Sequence, residues 1–488
     1  MTPAENEQPS YGELVTLVET LTARLDSLEE ENARLETEIG ELREENAQLR
    51  RQLGRNSRNS SQPPSADGLA KPPPRSMRGS SGRKAGKQPG TPGTALMQVA
   101  NPARRVPHVP ASCQGCASDL AGAAGVGEPV IRQVFDIPEV GVEVTAHELY
   151  AVTCGGCGTL TRAAAPAFAT GPAVYGPRVS ALAAYLSAQH HIPVGRIAEI
   201  LADVAGIEVS SGWISAAVAR MAATLGPVNT AIGDAIAGAA VAHFDEGVTR
   251  VNGKNHRLHV AATATLTAYH IDEHGRGTDS ITAFGILPRF TGVAVHDAYR
   301  SCQAFEDCTH ALCNAHIVRE ATGIGEYDAA ARADGWAEAL VLLLGDGHRW
   351  VAAWRDKGHV RLPGFKLDDL RQRFDDLVER ALGAHPPRGS GRQSPARNLA
   401  LRLRDRKDEI LRFATDFTVA FSNNRAEQDI RMIKAKTKVS GGFRTLGGAQ
   451  AFLAIRGYIS TVRKNGLRAA PSLYDALLGN PWMPALTN

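Results

Sequence analysis

Three carboxylates stand where a two-metal phosphodiester site would need them. Asp245 ends the apolar stretch Ala239–Asp245, which reads as a strand, and Asp297 follows a second such stretch, Gly292–His296. Glu427 lies in Phe421–Lys436, a late helix that Ser422 or Asn423 can cap. On that helix Ala426, Ile430 and Ile433 make a buried stripe, while Glu427, Arg431, Lys434 and Lys438 share the neighbouring face one turn apart. An acid followed by a ladder of cations suits metal ions held beside a phosphate backbone. Breaking a phosphodiester needs a water or 3′-hydroxyl in line with the leaving oxygen, and two Mg²⁺ ions about 3.5–4 Å apart serve both ends of that line. Mg²⁺ favours hard oxygen ligands and keeps several waters, so two Asp and one Glu satisfy it without His or Cys. The adjacent Glu246 should point to the opposite face of its strand.

The elements around these residues must bring them together. Arg257–Thr265 and Leu266–Asp272 read as two strands joined by a tight turn, Asp279–Leu287 as a helix and His310–Cys313 as a fifth strand. Three strands, a helix, a strand, a short helix and a strand is an order that resembles the ribonuclease H-like fold, in which the first and fourth strands are neighbours. Asp245 and Asp297 would then meet. Helical texture at Trp336–Leu344, His348–Trp354 and Leu370–Leu382 makes Ala321–Gly391 an all-helical insertion in this core. Cys313-x-x-His316, with Cys308 and His310 nearby, reads as structural support for the Asp297 strand rather than as a second metal site. Arg319, Arg425, Arg431, Lys434, Lys436 and Arg444 are candidate phosphate ligands; the bland alternative is a solvated helix face.

Upstream, the chain carries modules for assembly and binding. Leu14, Leu21, Leu28, Leu35, Leu42 and Leu49 fill every d position of a heptad, with Val18, Leu25, Asn32, Ile39, Asn46 and Leu53 at a. Leu at d with Asn at some a positions specifies a parallel two-stranded coiled coil. Residues 54–112 are rich in Pro, Ser and Gly and strongly basic, which reads as a disordered linker that touches DNA phosphates. Cys113-x-x-Cys116 and Cys154-x-x-Cys157 have the spacing of a closed four-thiolate structural Zn²⁺ site, with Pro129–Ile137 and Val140–Val152 as the strands of a zinc ribbon. Gly195–Val204, a turn at Gly206, and a helix through Trp213, Ile214, Val218 and Met221 that Ser210 or Ser211 can cap match a helix-turn-helix, with Arg178, Arg196 and Arg220 in and around it.

Composition bounds the rest. With 488 residues, 43% hydrophobic and 22% charged, the chain is a multidomain globular protein. A net charge of +3 does not by itself argue for nucleic acid. The polar start lacks a signal peptide, no apolar run approaches the roughly 20 residues of a membrane span, and paired C-x-x-C cysteines suit a reducing cytoplasm.

Several segments together carry a resemblance to a known family. Asp245-Glu246-Gly247-Val248 with Val251-Asn252-Gly253-Lys254, His296-Asp297 with Tyr299-Arg300, Cys313-Asn314-Ala315-His316 with Arg319-Glu320, and Asn423-Asn424-Arg425-Ala426-Glu427 with Arg431, Lys434, Ser440-Gly441 and Phe443-Arg444 resemble transposases of the insertion sequence sixty-six family. Asn59-Ser60-Ser61-Gln62-Pro63-Pro64-Ser65 resembles that family's linker signature. The resemblance implies a bacterial, nucleoid-associated DDE transposase with the triad Asp245, Asp297 and Glu427, catalytic Mg²⁺ or Mn²⁺, structural Zn²⁺, double-stranded DNA at element ends and target, a dimer or larger synaptic assembly, and small accessory proteins. Gly247 departs from it, because a small hydroxyl residue is expected there. The expected multidomain α+β order is a coiled coil at 11–53, linker at 54–112, zinc domain at 113–165, helix-turn-helix region at 175–236, core at 237–320, insertion at 321–391, second part of the core at 392–465 and tail at 466–488. Two competing readings are a non-catalytic or domesticated sequence-specific DNA-binding regulator, which would need no carboxylate set, and a structure-selective nuclease, which would need no terminal-repeat reader.

Overall fold

The computed structural model describes residues 10–56, 59–60, 96–273, 277–387, 389 and 392–485. Most of the basic linker lies outside the described residues. The chain divides into two compact units, one of residues 1–75, 165–197 and 211–488, the other of 76–164 and 198–210.

In the larger unit, helix α1 (Tyr11–Leu53) opens on a capping box between Ser10 and Glu13. Its heptad leucines, Leu14 to Leu49, lie exposed along the single chain. A second, smaller unit contains the two-stranded ladder β1 (Ala151–Thr153) and β2 (Leu160–Arg162). Pro129–Ile137 and most of Val140–Val152 form no ladder, contrary to the ribbon expected of them. Their apolar residues, among them Val130, Val134, Ile137 and Val144, are exposed, and no strand among the described residues faces them.

Helices α2 (Pro177–Ala188), α3 (Val194–Ala205), α4 (Ser211–Thr224) and α5 (Gly226–Ala237) follow. The two helices of the expected helix-turn-helix are therefore formed, and Gly206 supplies the positive φ of +65° between them. Next come β3 (Val241–Val251), β4 (Lys254–Ala262), β5 (Thr267–Ile271), α6 (Thr278–Phe284), β6 (Val293–His296) and β7 (Thr309–Leu312). The sheet order is β5-β4-β3-β6-β7, antiparallel on the β4 side and parallel on the β6 side. The first and fourth of these five strands are neighbours, as the element order predicts. β3 is longer than the expected strand and does not stop at Asp245. Asn252 and Gly253, both at positive φ, make a two-residue hairpin turn that extends its pairing with β4 to Val251 and Lys254.

From α7 (Asn314–Tyr327) the chain is helical through α8 (Ala329–Asp334), α9 (Trp336–Arg355), α10 (Gly364–Ala384), α11 (Pro395–Asp405) and α12 (Lys407–Thr415). These helices share their own core, built on Trp336, Leu340, Leu344, Leu370, Phe374 and Phe413. The chain then returns to the sheet as α13 (Asn424–Ser440), α14 (Leu446–Lys464) and α15 (Ala469–Leu477). Ala426 and Ile430 of α13 pack on Val260 of β4. Ile433 joins the main core with Leu258, Phe443 and Phe452. The fold is thus mixed, fifteen α-helices with a five-stranded sheet among the described residues. None of the described helices is long and apolar enough to cross a membrane.

Candidate active site

Strand register puts two carboxylates on one face. His243 of β3 is the partner of Val295 of β6, and Asp245 and Asp297 each lie two residues further along. Side chains alternate along a strand, so His243, Val295 and Asp245 point to the same side, and Asp297, in the bend just past β6, acts on Asp245 through its charge. Asp245 is also the partner of Val260, which packs under α13, so that side is the one α13 covers. Pairing of β3 with β6 ends at His243, while β3 continues against β4 for eight more residues, to Val251. The two strands part where the acids begin, giving a crevice at the carboxyl end of β6, the usual binding place in an open sheet with parallel strands. Directly after Asp297 the backbone turns away through Ala298 at φ +67°, and Tyr299 N–H donates to Asp297 Oδ1 at 3.2 Å.

Asn423 brings in the third acid. It stands at the N-cap of α13 but makes no side-chain cap there. Its amide instead donates to the Phe244 carbonyl at 2.7 Å, and its Oδ1 meets His243 Nδ1 at 3.1 Å. Its backbone N–H meets Cys313 Sγ at 3.1 Å, and the residue is wholly buried. One side chain thus ties the start of α13 to the residues before Asp245, while its backbone ties to the residue before α7. Glu427 follows one turn later.

The electrostatics show how close the acids are. Burial, then the charges of Asp297 and Glu427, push the Asp245 carboxyl up to about 8. Burial also raises Asp297, and Glu427 adds to the rise. Glu427 lies 3.5 Å from Arg431, 3.9 Å from Arg319 and 3.7 Å from His316 Nδ1. No single oxygen set of the three acids falls within 4.8 Å, whereas ligand atoms of Cys313, His316 and Glu427 do. Burial drives His316 down to about 4 and the Cys313 thiol up to about 11, so both are neutral near pH 7, and the sulfur faces the Asn423 N–H. Cys313 and His316, expected to support the Asp297 strand, thus stand beside Glu427 as well.

Other expected residues sort plainly. Glu246 faces the reverse side and pairs with Arg257 at 3.2 Å. Arg425, Arg431, Lys434 and Arg444 are exposed, as are Arg196 on α3 and Arg220 on α4. Lys436 is not a surface cation. It is buried, donates to the carbonyls of Gly441 and Gly442 at 2.8 and 3.3 Å, and lies 3.9 Å over the Phe443 ring. Burial lowers it to about 8. Lys436 follows Ile433 by three residues and so belongs to the buried stripe. A Cβ at Gly247 would meet Ile430 at 3.4 Å, so a small residue fits there.

In the smaller unit each C-x-x-C folds as a knuckle of the same design. Cys113 N–H donates to Ser118 O at 2.8 Å and Cys154 N–H to Thr159 O at 2.9 Å. The fifth residue, Ala117 or Gly158, has positive φ and closes the loop onto the first cysteine's carbonyl. Ser118 and Thr159 hydroxyls lie beside Cys116 and Cys157 and lower those thiols. Easily ionised, exposed thiols on matched turns suit zinc, but no three of the four sulfurs lie within 4.8 Å of one another.

The acids thus stand at a parallel strand end of a mixed sheet, under a helix with exposed cations. Residues 172–451, more than half of the chain, match the family model described as Transposase IS66 family, and the chain belongs to that family. Residues 1–97 match a separate family of unknown function. No curated protein matches the sequence. Family membership supports a transposase role for this chain.

Proposed function

We propose that this transposase is a DDE enzyme whose sheet is a ribonuclease H-like core, cutting and transferring DNA strands at the ends of an insertion sequence. The observation that carries the reading is that neighbouring strands bring Asp245 and Asp297 to one end of the sheet, under the helix that bears Glu427 in its first turn. Asp245, Asp297 and Glu427 would hold two Mg²⁺ or Mn²⁺ ions, which when bound supply Lewis acidity to the attacking and leaving oxygens. The chain's own residues do the rest. Burial and the neighbouring acids hold the Asp245 carboxyl toward its protonated form, and as a metal ligand it would be ionised. Arg319 and Arg431 flank Glu427 and orient its carboxylate. Arg425, Lys434 and Arg444 are exposed on α13 and the loop after it, where a phosphate backbone would lie against them.

The remaining modules serve binding and assembly. The exposed leucine stripe of α1 is covered by a second copy in a parallel coiled coil, since an isolated helix this long keeps such a stripe only against a partner. Cys113, Cys116, Cys154 and Cys157 would together hold one structural Zn²⁺, which would tie the two knuckles to each other. Arg196 and Arg220, on the two helices that flank Gly206, contact the terminal repeats.

The test is cleavage of a labelled DNA fragment carrying the element's end, in Mg²⁺ or Mn²⁺, by the protein and by Asp297→Ala and Glu427→Ala variants. Metal-dependent nicking at the end, absent from both variants while DNA binding persists, supports the reading. Nicking that survives both substitutions overturns the site. Binding without nicking favours a DNA-binding regulator.

A further inference from the structure

The linker signature around Asn59 finds no use in the chemistry above, yet its first residue is buried to 7% exposure against the helical part of the larger unit. The Asn59 amide nitrogen lies 2.6 Å from Glu326 Oε2, 3.1 Å from the Gly54 carbonyl and 3.3 Å from the Tyr327 hydroxyl. Its Oδ1 accepts from Asn56 N–H at 2.9 Å. Tyr327 in turn donates its hydroxyl to the Gly54 carbonyl at 2.9 Å. The C-terminal end of α1 and the C-terminal end of α7 are therefore stitched by reciprocal hydrogen bonds.

Two glycines, one on each side, make the approach close enough. A Cβ at Gly323 would sit 2.4 Å from the Asn59 carbonyl oxygen. A Cβ at Gly54 would sit 2.0 Å from the Tyr327 hydroxyl. Neither is a distance that real atoms adopt: a side chain at Gly323 meets backbone and forces the surfaces apart, and one at Gly54 displaces the Tyr327 hydroxyl. Matched glycines, a buried amide and a tyrosine hydroxyl are the marks of a built contact rather than of incidental packing.

We infer that Gly54, Asn56 and Asn59 form a docking latch that fastens the end of the zipper helix to the Gly323–Tyr327 face of α7. The latch lies in the segment that matches the family of unknown function, and its receptor lies in the segment that matches the transposase family. It thereby gives the first segment a task, to fix the assembly helix on the core. The N-terminal end of α7 carries His316 and Arg319 beside Glu427, so the same rigid helix meets both the latch and the acids. The contact stands whether or not those acids catalyse.

Asn59→Asp keeps the shape but sets a carboxylate against Glu326, Tyr327→Phe removes only the hydroxyl, and Gly323→Val wedges the surfaces open. Amide hydrogen exchange in the full-length protein reads the result. Peptides covering residues 50–56 and 320–327 should exchange about tenfold faster in Asn59→Asp and Gly323→Val and by a smaller factor in Tyr327→Phe, with α14 peptides unchanged. Residues 50–56 exchanging equally fast in all four proteins would overturn the latch. If Gly323→Val loosens α14 as well, Tyr327→Phe decides: a rise confined to the two segments supports the latch, and no rise overturns it.

Discussion

Asn423 donates its side-chain amide to the carbonyl of Phe244, 2.7 Å away and one residue before Asp245. This bond sets how far the helix bearing Glu427 stands from the strand bearing Asp245. Partners that orient metal ligands typically cost about 10–100-fold in affinity or activity when removed. Asn423→Ala should lower metal-dependent cleavage by about that factor and raise the Mg²⁺ concentration needed, while binding of end DNA holds. Unchanged Mg²⁺ dependence would mean that α13 is placed by its apolar stripe alone.

Asp245 gives a pH prediction of definite sign. Its folded value, about 8, lies above that of an unfolded carboxyl, so the folded protein binds the extra proton. Metal-free stability should then fall as pH rises from about 4 toward 8. Asp245→Asn removes that slope and should raise the melting temperature at pH 8, by on the order of 5 °C. Mg²⁺ competes with the same proton, so its stabilisation of the wild-type protein should be larger at pH 8 than at pH 6. Thermal melts with and without Mg²⁺ at both values check this.

Gly247 is where this chain departs from the residue its family resemblance leads one to expect. Since a Cβ there meets Ile430 at ordinary contact distance, Gly247→Ser should keep cleavage within about twofold. Gly247→Val, whose extra methyls press on α13, should lower it by tenfold or more. Equal rates in both variants would show that the spacing of β3 and α13 has slack.

The knuckles predict stoichiometry. Purified protein should carry one zinc per chain, and Cys→Ser at any of the four positions should release it, measured by metal analysis and a colorimetric chelator. Zinc retained by Cys154→Ser but not by Cys113→Ser would show that the knuckles do not share an ion.

How much of this was legible depended on range. The heptad of α1 and the stripe of Ala426, Ile430 and Ile433 are local periodicities: the first segment forms one continuous helix and the second buries its stripe. Strand order made Asp245 and Asp297 neighbours. The Asn252-Gly253 turn is a strong hairpin signal that carries β3 past Asp245, beyond the apolar stretch that marks the strand. Lys436 has the charge of a surface cation, but its spacing from Ile433 places it on the buried stripe. The segments between the knuckles had strand composition, but a strand needs a partner, and composition does not name one. The role of Asn423 was hidden because its partners, His243 and Phe244, are far away in sequence and its position looked like an ordinary helix cap.

The three acids arrive on the chain in an order with a consequence for timing. The ribosome delivers β3 and β6 first and then the whole helical block, with α13 and its Asn423 clamp only after that. A growing chain thus displays α1, the knuckles and the two sheet acids throughout synthesis of the helical block, with no third acid to complete them. On the DDE reading, the newborn protein can assemble and touch DNA beside the gene being expressed before it is able to cut.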